Sequence, residues 1–149
     1  MKFKFPLQKV LEHRKIKENL AQKDFQEVVT QLNQETEVLE KMHDQVTQAH
    51  SQAGSFASQG GAQGPALSQI HEFLKGQEIR IQRQKQKVQE IEKLVEAKRE
   101  ILRQAALEYK IMEKMRENKF EEYRLERLSN EQKEMDEQSI LRFKAVKES

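Results

Sequence analysis

The chain has no cysteine and no tryptophan, only two prolines, five glycines and 6% aromatic residues. Without cysteine there are no disulfides, zinc-thiolate sites or thiol nucleophiles, though the compartment stays open. No run approaches the roughly 20 apolar residues of a membrane span. The opening Met-Lys-Phe-Lys-Phe-Pro-Leu-Gln is basic, but no apolar stretch follows it, so it does not read as a secretory signal. A cytoplasmic protein is the expectation. With 35% charged and 36% apolar residues, 149 residues supply too little apolar material for a thick globular core. They read as one structural unit of long helices.

What the chain does have is a heptad pattern, interrupted once. The first series is Leu7, Leu11, Arg14, Glu18, Ala21, Phe25, Val28, Leu32, Glu35, Leu39, Met42, Val46 and Ala49. The second runs Leu67, Ile70, Leu74, Gln77, Ile81, Gln84, Val88, Ile91, Val95, Lys98, Leu102, Ala105, Tyr109 and Met112. Steps alternating between three and four keep these residues on one narrow stripe, which another helix must cover. Off-stripe Val10, Ile16, Leu20, Val29 and Val38 widen the first stripe. Between the series lies SQAGSFASQGGAQGP (Ser51 to Pro65), uncharged, aperiodic and holding four of the five glycines. It reads as a flexible loop. The expected fold is all-α, a long two-helix antiparallel coiled coil. Helix one spans about 6–51, the loop 52–65 and helix two about 66–145. At 1.5 Å per residue helix two is about 120 Å long against about 70 Å for helix one. Pro6 and Pro65 both suit a first helical turn.

A register follows from matching the stripes. Setting Ala49 against Leu67, Val46 against Ile70, Phe25 against Ile91 and Leu7 against Tyr109 pairs every stripe position of helix one. It also sets Glu18 against Lys98, and a buried charge needs a partner. Arg14 then faces Leu102 and Glu35 faces Ile81, without a reason beyond the reach of long side chains. Beyond about Met115 helix two has no internal mate in this register. Arg116, Lys119 and Glu126 take the continued stripe positions, while apolar residues from Phe120 to Val146 are scattered. A lone helix of this kind is marginal and is expected to dock.

Charge is near balance at +2 but unevenly spread. Residues 1–23 hold seven Lys or Arg against two Glu, and residues 113–137 hold nine acidic against six basic. Phe3, Phe5 and Leu7 lie among basic residues, a composition more typical of a docking surface than of a helix-start staple. The basic run IRIQRQKQK lacks interleaved aromatics, so it reads as a solvated helix face rather than a nucleic-acid site. His13, His43, His50 and His71 do not form a metal-ligand pattern. The carboxylates have no pocket to perturb them and the glycines form no phosphate-binding motif. No enzyme, metal, cofactor, small-molecule substrate or nucleic acid is expected.

Two stretches carry a family resemblance. FKFPLQKVLEHRKIKENLAQKDF opens with aromatics, then Leu-Gln-x-Val-Leu, Arg and a Lys/Glu-rich helix. EQKEMDEQS carries Lys133, Met135, Asp136 and Glu137. Both, with the two-helix layout, resemble the flagellar export protein FliJ family. The resemblance implies a coiled-coil stalk similar to that of the rotary ATP synthase γ subunit. Its implied partners are the ring of the export ATPase FliI, the cytoplasmic domain of the gate protein FlhA, export chaperones and the ATPase regulator FliH. It implies a cytoplasmic protein held at the inner membrane of the flagellar base through these partners. By position, the ATPase end comprises Phe3, Phe5, Leu7, Lys133, Met135, Asp136 and Glu137. The gate end comprises Met42, Val46, Phe73 and Gln77; Phe73 matches a family Phe, while His43, Val46 and His50 stand where the family carries aromatics. The alternatives from other classes are a self-associating coiled-coil spacer and a nucleic-acid-binding helical hairpin.

Overall fold

A computed structural model of the chain describes residues 2–59 and 64–148. Among them are two helices, α1 (Gln8–Ser58) and α2 (Gly64–Glu148), and no strand. The fold is all-α, with two long helices packed against each other. By compactness the chain divides into two units. One is Leu20–Arg103, and the other joins Met1–Asn19 to Gln104–Ser149.

In the Leu20–Arg103 unit the α1 and α2 segments pack antiparallel around Val28, Ile91 and Val95, with Phe25, Val29 and Leu32 against them. Ala21, Ala49, Ile81 and Val88 are buried along the same stripe. Each large aliphatic side chain removed from water there contributes about 1.5–3 kcal/mol. Val38 and Leu20, expected to widen the stripe, are exposed. The covered band is therefore narrow, as two helices without a third layer require.

Two polar layers interrupt this core. Gln77, 2% exposed, donates through Nε2 to Gln45 Oε1 (2.8 Å) and to the Met42 carbonyl (3.3 Å). Gln84 Nε2 donates to Glu35 Oε2 (2.7 Å) and to the Glu35 carbonyl (2.9 Å), and Lys87 Nζ reaches Glu35 Oε1 at 3.1 Å. These contacts correct the expected register. Glu35 faces Gln84, not Ile81, and Gln77 lies beside Met42, while Val28 shares one buried cluster with Ile91 and Val95. The helices sit one stripe step further on than the sequence matching gave. The reason is polar satisfaction. The expected register set Gln84 against Leu32 and Gln77 against Leu39, and each unpaired buried amide costs about 1–3 kcal/mol. Glu18, whose expected pairing motivated that register, pairs with Lys15 in its own helix at 3.5 Å.

Helix boundaries differ from expectation at the connection. α1 runs on to Ser58 rather than stopping near 51, and closes with the Gln59 N–H on the Phe56 carbonyl at 3.2 Å. Ala49, Ala53 and Phe56 continue a helical spacing of four and three, and Phe56 shares a groove with Ile70 and Phe73 of α2. That packing outweighs Gly54, whose α-carbon faces open space. α2 begins at Gly64, with Pro65 in its first turn. The remainder of the expected loop, residues 60–63, lies outside the described residues.

In the unit formed by Met1–Asn19 and Gln104–Ser149, the chain before α1 is part of the packing. Phe5 is buried with Leu11 and Met112, and Phe3 and Tyr109 pack against that cluster. The Gln8 N–H bonds the Phe5 carbonyl at 3.1 Å, turning the chain into α1 two residues later than Pro6 suggested. Ala105 is buried at 2% exposure, while Val10 and Ile16 face outward.

Candidate functional sites at the two ends

The residues expected at an ATPase-facing end fall into two groups. Phe3 and Phe5 are not free surface. The Phe3 ring stands edge-on to Phe120 (centroids 5.3 Å apart) and near Tyr123 (5.5 Å). The Arg116 guanidinium lies over the same ring at 5.7 Å and donates to Gln8 Oε1 at 3.2 Å. Aromatic pairs in this geometry add about 0.5–1.5 kcal/mol beyond burial. The segment before α1 thus gives α2 a mate as far as Tyr123, further than the expected limit near Met115. Leu7 is 38% exposed. Lys133, Met135, Asp136 and Glu137 form the second group, on the α2 segment from Arg124 to Glu148, every residue of which is exposed. Asp136 accepts from Gln132 at 3.2 Å. Leu125, Leu128, Ile140, Leu141 and Phe143 are exposed on the same stretch.

Charge is organised around the base of α1. Glu108 receives Arg14 at 2.7 Å and Lys17 at 3.2 Å. Hydrogen bonding from Lys17, with the nearby Arg14 charge, holds the Glu108 carboxyl below the usual carboxylate range. Arg14, a charge on the stripe without an assigned partner in the sequence, is satisfied in this way. A hydrogen bond to Glu113 and burial push the Tyr109 hydroxyl up.

The residues expected at a gate-facing end lie in the Leu20–Arg103 unit. Gln77 is buried and belongs to the polar layer described above; Met42 and Val46 are half-buried; Phe73 is 38% exposed. Phe73 has neighbours that its own sequence context does not announce. The Arg80 guanidinium lies over its ring at 5.6 Å, while Arg80 Nε donates to Gln77 Oε1 at 2.8 Å. A groove of about 520 Å³ runs past Phe73, Phe56 and Ile70. A second groove, about 630 Å³, is lined by Val46, His50, His71 and Leu74 together with Lys75, Glu78 and Lys85. Among the described residues no three His, Asp or Glu groups come together as a metal site, and no helix is long and apolar enough to cross a membrane.

Glu35 supplies a pH test of the polar layer. Hydrogen bonds from Gln84 and then Lys87 hold its carboxyl below the usual carboxylate range. A carboxylate lowered by folding adds its full stability above its unfolded pKa and loses it as pH falls through the folded one. The melting temperature should therefore stay level from neutrality to about pH 5 and decline below it. Glu35→Gln keeps an acceptor for Gln84 but loses the ion pair with Lys87. Circular-dichroism melts should place this variant below the wild type near pH 7 and level with it in strong acid.

Fold and surface together define an all-α protein of two long helices with exposed apolar residues along α2. The chain matches the family model described as Flagellar FliJ protein over residues 3–148, and it belongs to that family. Membership places it in flagellum biogenesis and protein export. No curated protein and no solved structure shows significant similarity to it.

Proposed function

We propose that the chain is a non-enzymatic coiled-coil stalk of the flagellar export apparatus. It docks into the ring of the export ATPase FliI, couples that ring to the cytoplasmic domain of the gate protein FlhA, and hands on export chaperones, with FliH as a neighbour at the ATPase. Through these partners it is held at the inner membrane of the flagellar base. The observation that carries the reading is the α2 segment from Arg124 to Glu148. It is exposed throughout, keeps Leu125, Leu128 and Met135 on one side, and continues past Tyr123, against which the Phe3 ring packs. Leu7, Lys133, Met135, Asp136 and Glu137 are the contact residues of the ATPase end. Phe3 and Phe5 act from beneath by fixing α2. Met42, Val46 and Phe73 mark the gate end, with Gln77 supporting them from the core.

Family membership supports the system, and the exposed α2 segment supports a docking role within it. Affinity purification of the full chain from its own cells should bring down the export ATPase in stoichiometric amounts. Recovery of the chain alone, sedimenting as a stable dimer or filament, would favour the self-associating spacer instead.

A further inference from the structure

The apolar residues of α2 beyond Tyr123 do not continue the stripe that faces α1. Glu126, Asn130 and Lys133 take those positions. Leu125, Leu128, Gln132, Met135, Ser139 and Phe143 instead recur at steps of three and four on another face. At about 3.6 residues per turn they fall within an arc of about 80°, turned well away from the core stripe. Leu125, Leu128, Met135 and Phe143 are all exposed, and α2 is one continuous helix to Glu148, so the tail does not fold back to cover them. Charge along the same segment is segregated. Residues 126–137 hold five acidic against two basic side chains, and residues 138–147 hold three basic and none acidic. Among the described residues, Arg142, Lys144 and Lys147 take part in no ion pair.

We propose that two copies of the chain pair reversibly through this face, antiparallel, with the two tails crossing at Ser139. A narrow apolar stripe on a helix is covered by another helix. The charge pattern says which helix. A partner of one charge sign would match one half of the segment and repel the other, whereas a second copy matches both halves. Running in the same direction, two copies would set acid against acid and base against base. Running in opposite directions, Met135 lies level with Phe143 of the second copy, and Glu131, Glu134 and Asp136 lie level with Lys147, Lys144 and Arg142. Ser139, a small side chain, stands at the crossing. The overlap of residues 131–147 is about 25 Å long. A helix pair this short is marginal, so it forms and parts with concentration.

The pairing stands on the tail alone; its regulatory effect rests on the proposed function. A paired tail covers Met135 and occupies Asp136 with a second copy. The segment that docks into the ATPase is then withheld until the pair parts. Pair and docked stalk are alternative states of one helix, and the ATPase shifts the balance by binding only the single chain.

The test is sedimentation equilibrium of the full chain from about 5 to 500 µM. The apparent mass should rise from one chain towards two with concentration, and association should weaken several-fold between about 50 and 500 mM NaCl. Met135→Glu should leave only monomer. Leu141→Glu should pair like the wild type, since Leu141 is as exposed as Met135 (65% against 62%) but lies off the stripe. A chain carrying Arg142→Glu, Lys144→Glu and Lys147→Glu should stay monomeric alone. So should one carrying Glu131→Lys, Glu134→Lys and Asp136→Lys. Mixed, the two should pair. With no native cysteine, chains carrying Met135→Cys and Phe143→Cys should form the mixed disulfide faster than either forms its own. A monomer at every concentration, no pairing of the mixed charge variants, or faster closure of Met135→Cys with itself would each overturn the proposal. The export ATPase, added in excess, separates the two readings. If the chain binds the ATPase yet never pairs, the pairing fails and the stalk stands. If the chain pairs and the ATPase neither binds it nor parts the pair, the pairing stands and the ATPase end fails.

Discussion

Deleting residues 130–149 is expected to abolish stimulation of the export ATPase while leaving the helical packing intact. The segment removed is exposed at every described position, and the Phe3 ring packs upstream of it against Phe120 and Tyr123. Phe5, Leu11 and Met112, and the aromatic contacts of Phe3 with Phe120 and Tyr123, all survive the deletion. The melting transition should therefore stay in place, and the helical signal should fall only by the share of residues removed. The upstream part of the exposed helix is braced by its own side chains: Arg124 with Glu121 (2.6 Å), Lys119 with Glu122 (3.4 Å) and Arg127 with Glu131 (3.3 Å). Such exposed pairs add little, so the helix past Tyr123 is weakly stable alone, and docking of the kind proposed would fix it. The assay is ATP hydrolysis by the purified ATPase, with full-length or truncated chain added at equal molarity. If the truncated chain stimulates as strongly as the full one, α2 beyond Asn130 is not the coupling element and the stalk reading loses its main support.

The same logic sorts the N-terminal aromatics. Aromatic residues among lysines read as a docking surface in the sequence, because composition cannot tell a ring facing a partner from one facing its own chain. The turn at Pro6 and the bond from Gln8 to the Phe5 carbonyl bring the segment back onto α2, and Phe5 goes into the core. At the other end the signal was missed for a different reason. Glycines around Phe56 argued for a loop, yet Ala49, Ala53 and Phe56 carry the helical spacing onward. Arg80 read as part of a solvated basic face, since its contacts with Phe73 and Gln77 rest on a local geometry that charge alone does not reveal. Phe73 itself was found only through the family resemblance.

Most of the architecture follows from spacing. Every buried apolar side chain within the helices lies at a stripe position identified from the heptads, from Leu11 and Ala21 through Val95 to Ala105 and Met112. Fold class and pairing direction come from that pattern. Register does not, because a heptad stripe matches its partner equally well at successive steps. The choice then rests on the polar interruptions. Weighing one charged pair, Glu18 with Lys98, selected the wrong step. Weighing Gln77, Gln84 and Glu35 together selects the observed one, in which the two amides and the carboxylate satisfy one another or the backbone.

That ordering of causes predicts a crosslinking result. With no native cysteine, Val28→Cys and Ile91→Cys introduced together should close an intramolecular disulfide under mild oxidation. The two side chains share one buried cluster, and a disulfide needs Cβ atoms about 3.5–4.5 Å apart. Phe25→Cys with Ile91→Cys is the pair demanded by the other step, and it should close at least about tenfold more slowly, because one stripe step displaces the partners by about 4.5 Å along the axis. The polar layer can be tested as the cause in the same experiment. Replacing Glu35 and Gln84 by Leu removes the groups that discriminate between steps while preserving apolar cover. In that background the difference between the two cysteine pairs should narrow, since a stripe without polar layers specifies its register weakly. If Phe25 and Ile91 crosslink faster than Val28 and Ile91 in the otherwise native chain, the register is not the one described. If the preference for Val28 is unchanged without Glu35 and Gln84, apolar packing sets the register and the polar layers merely tolerate it.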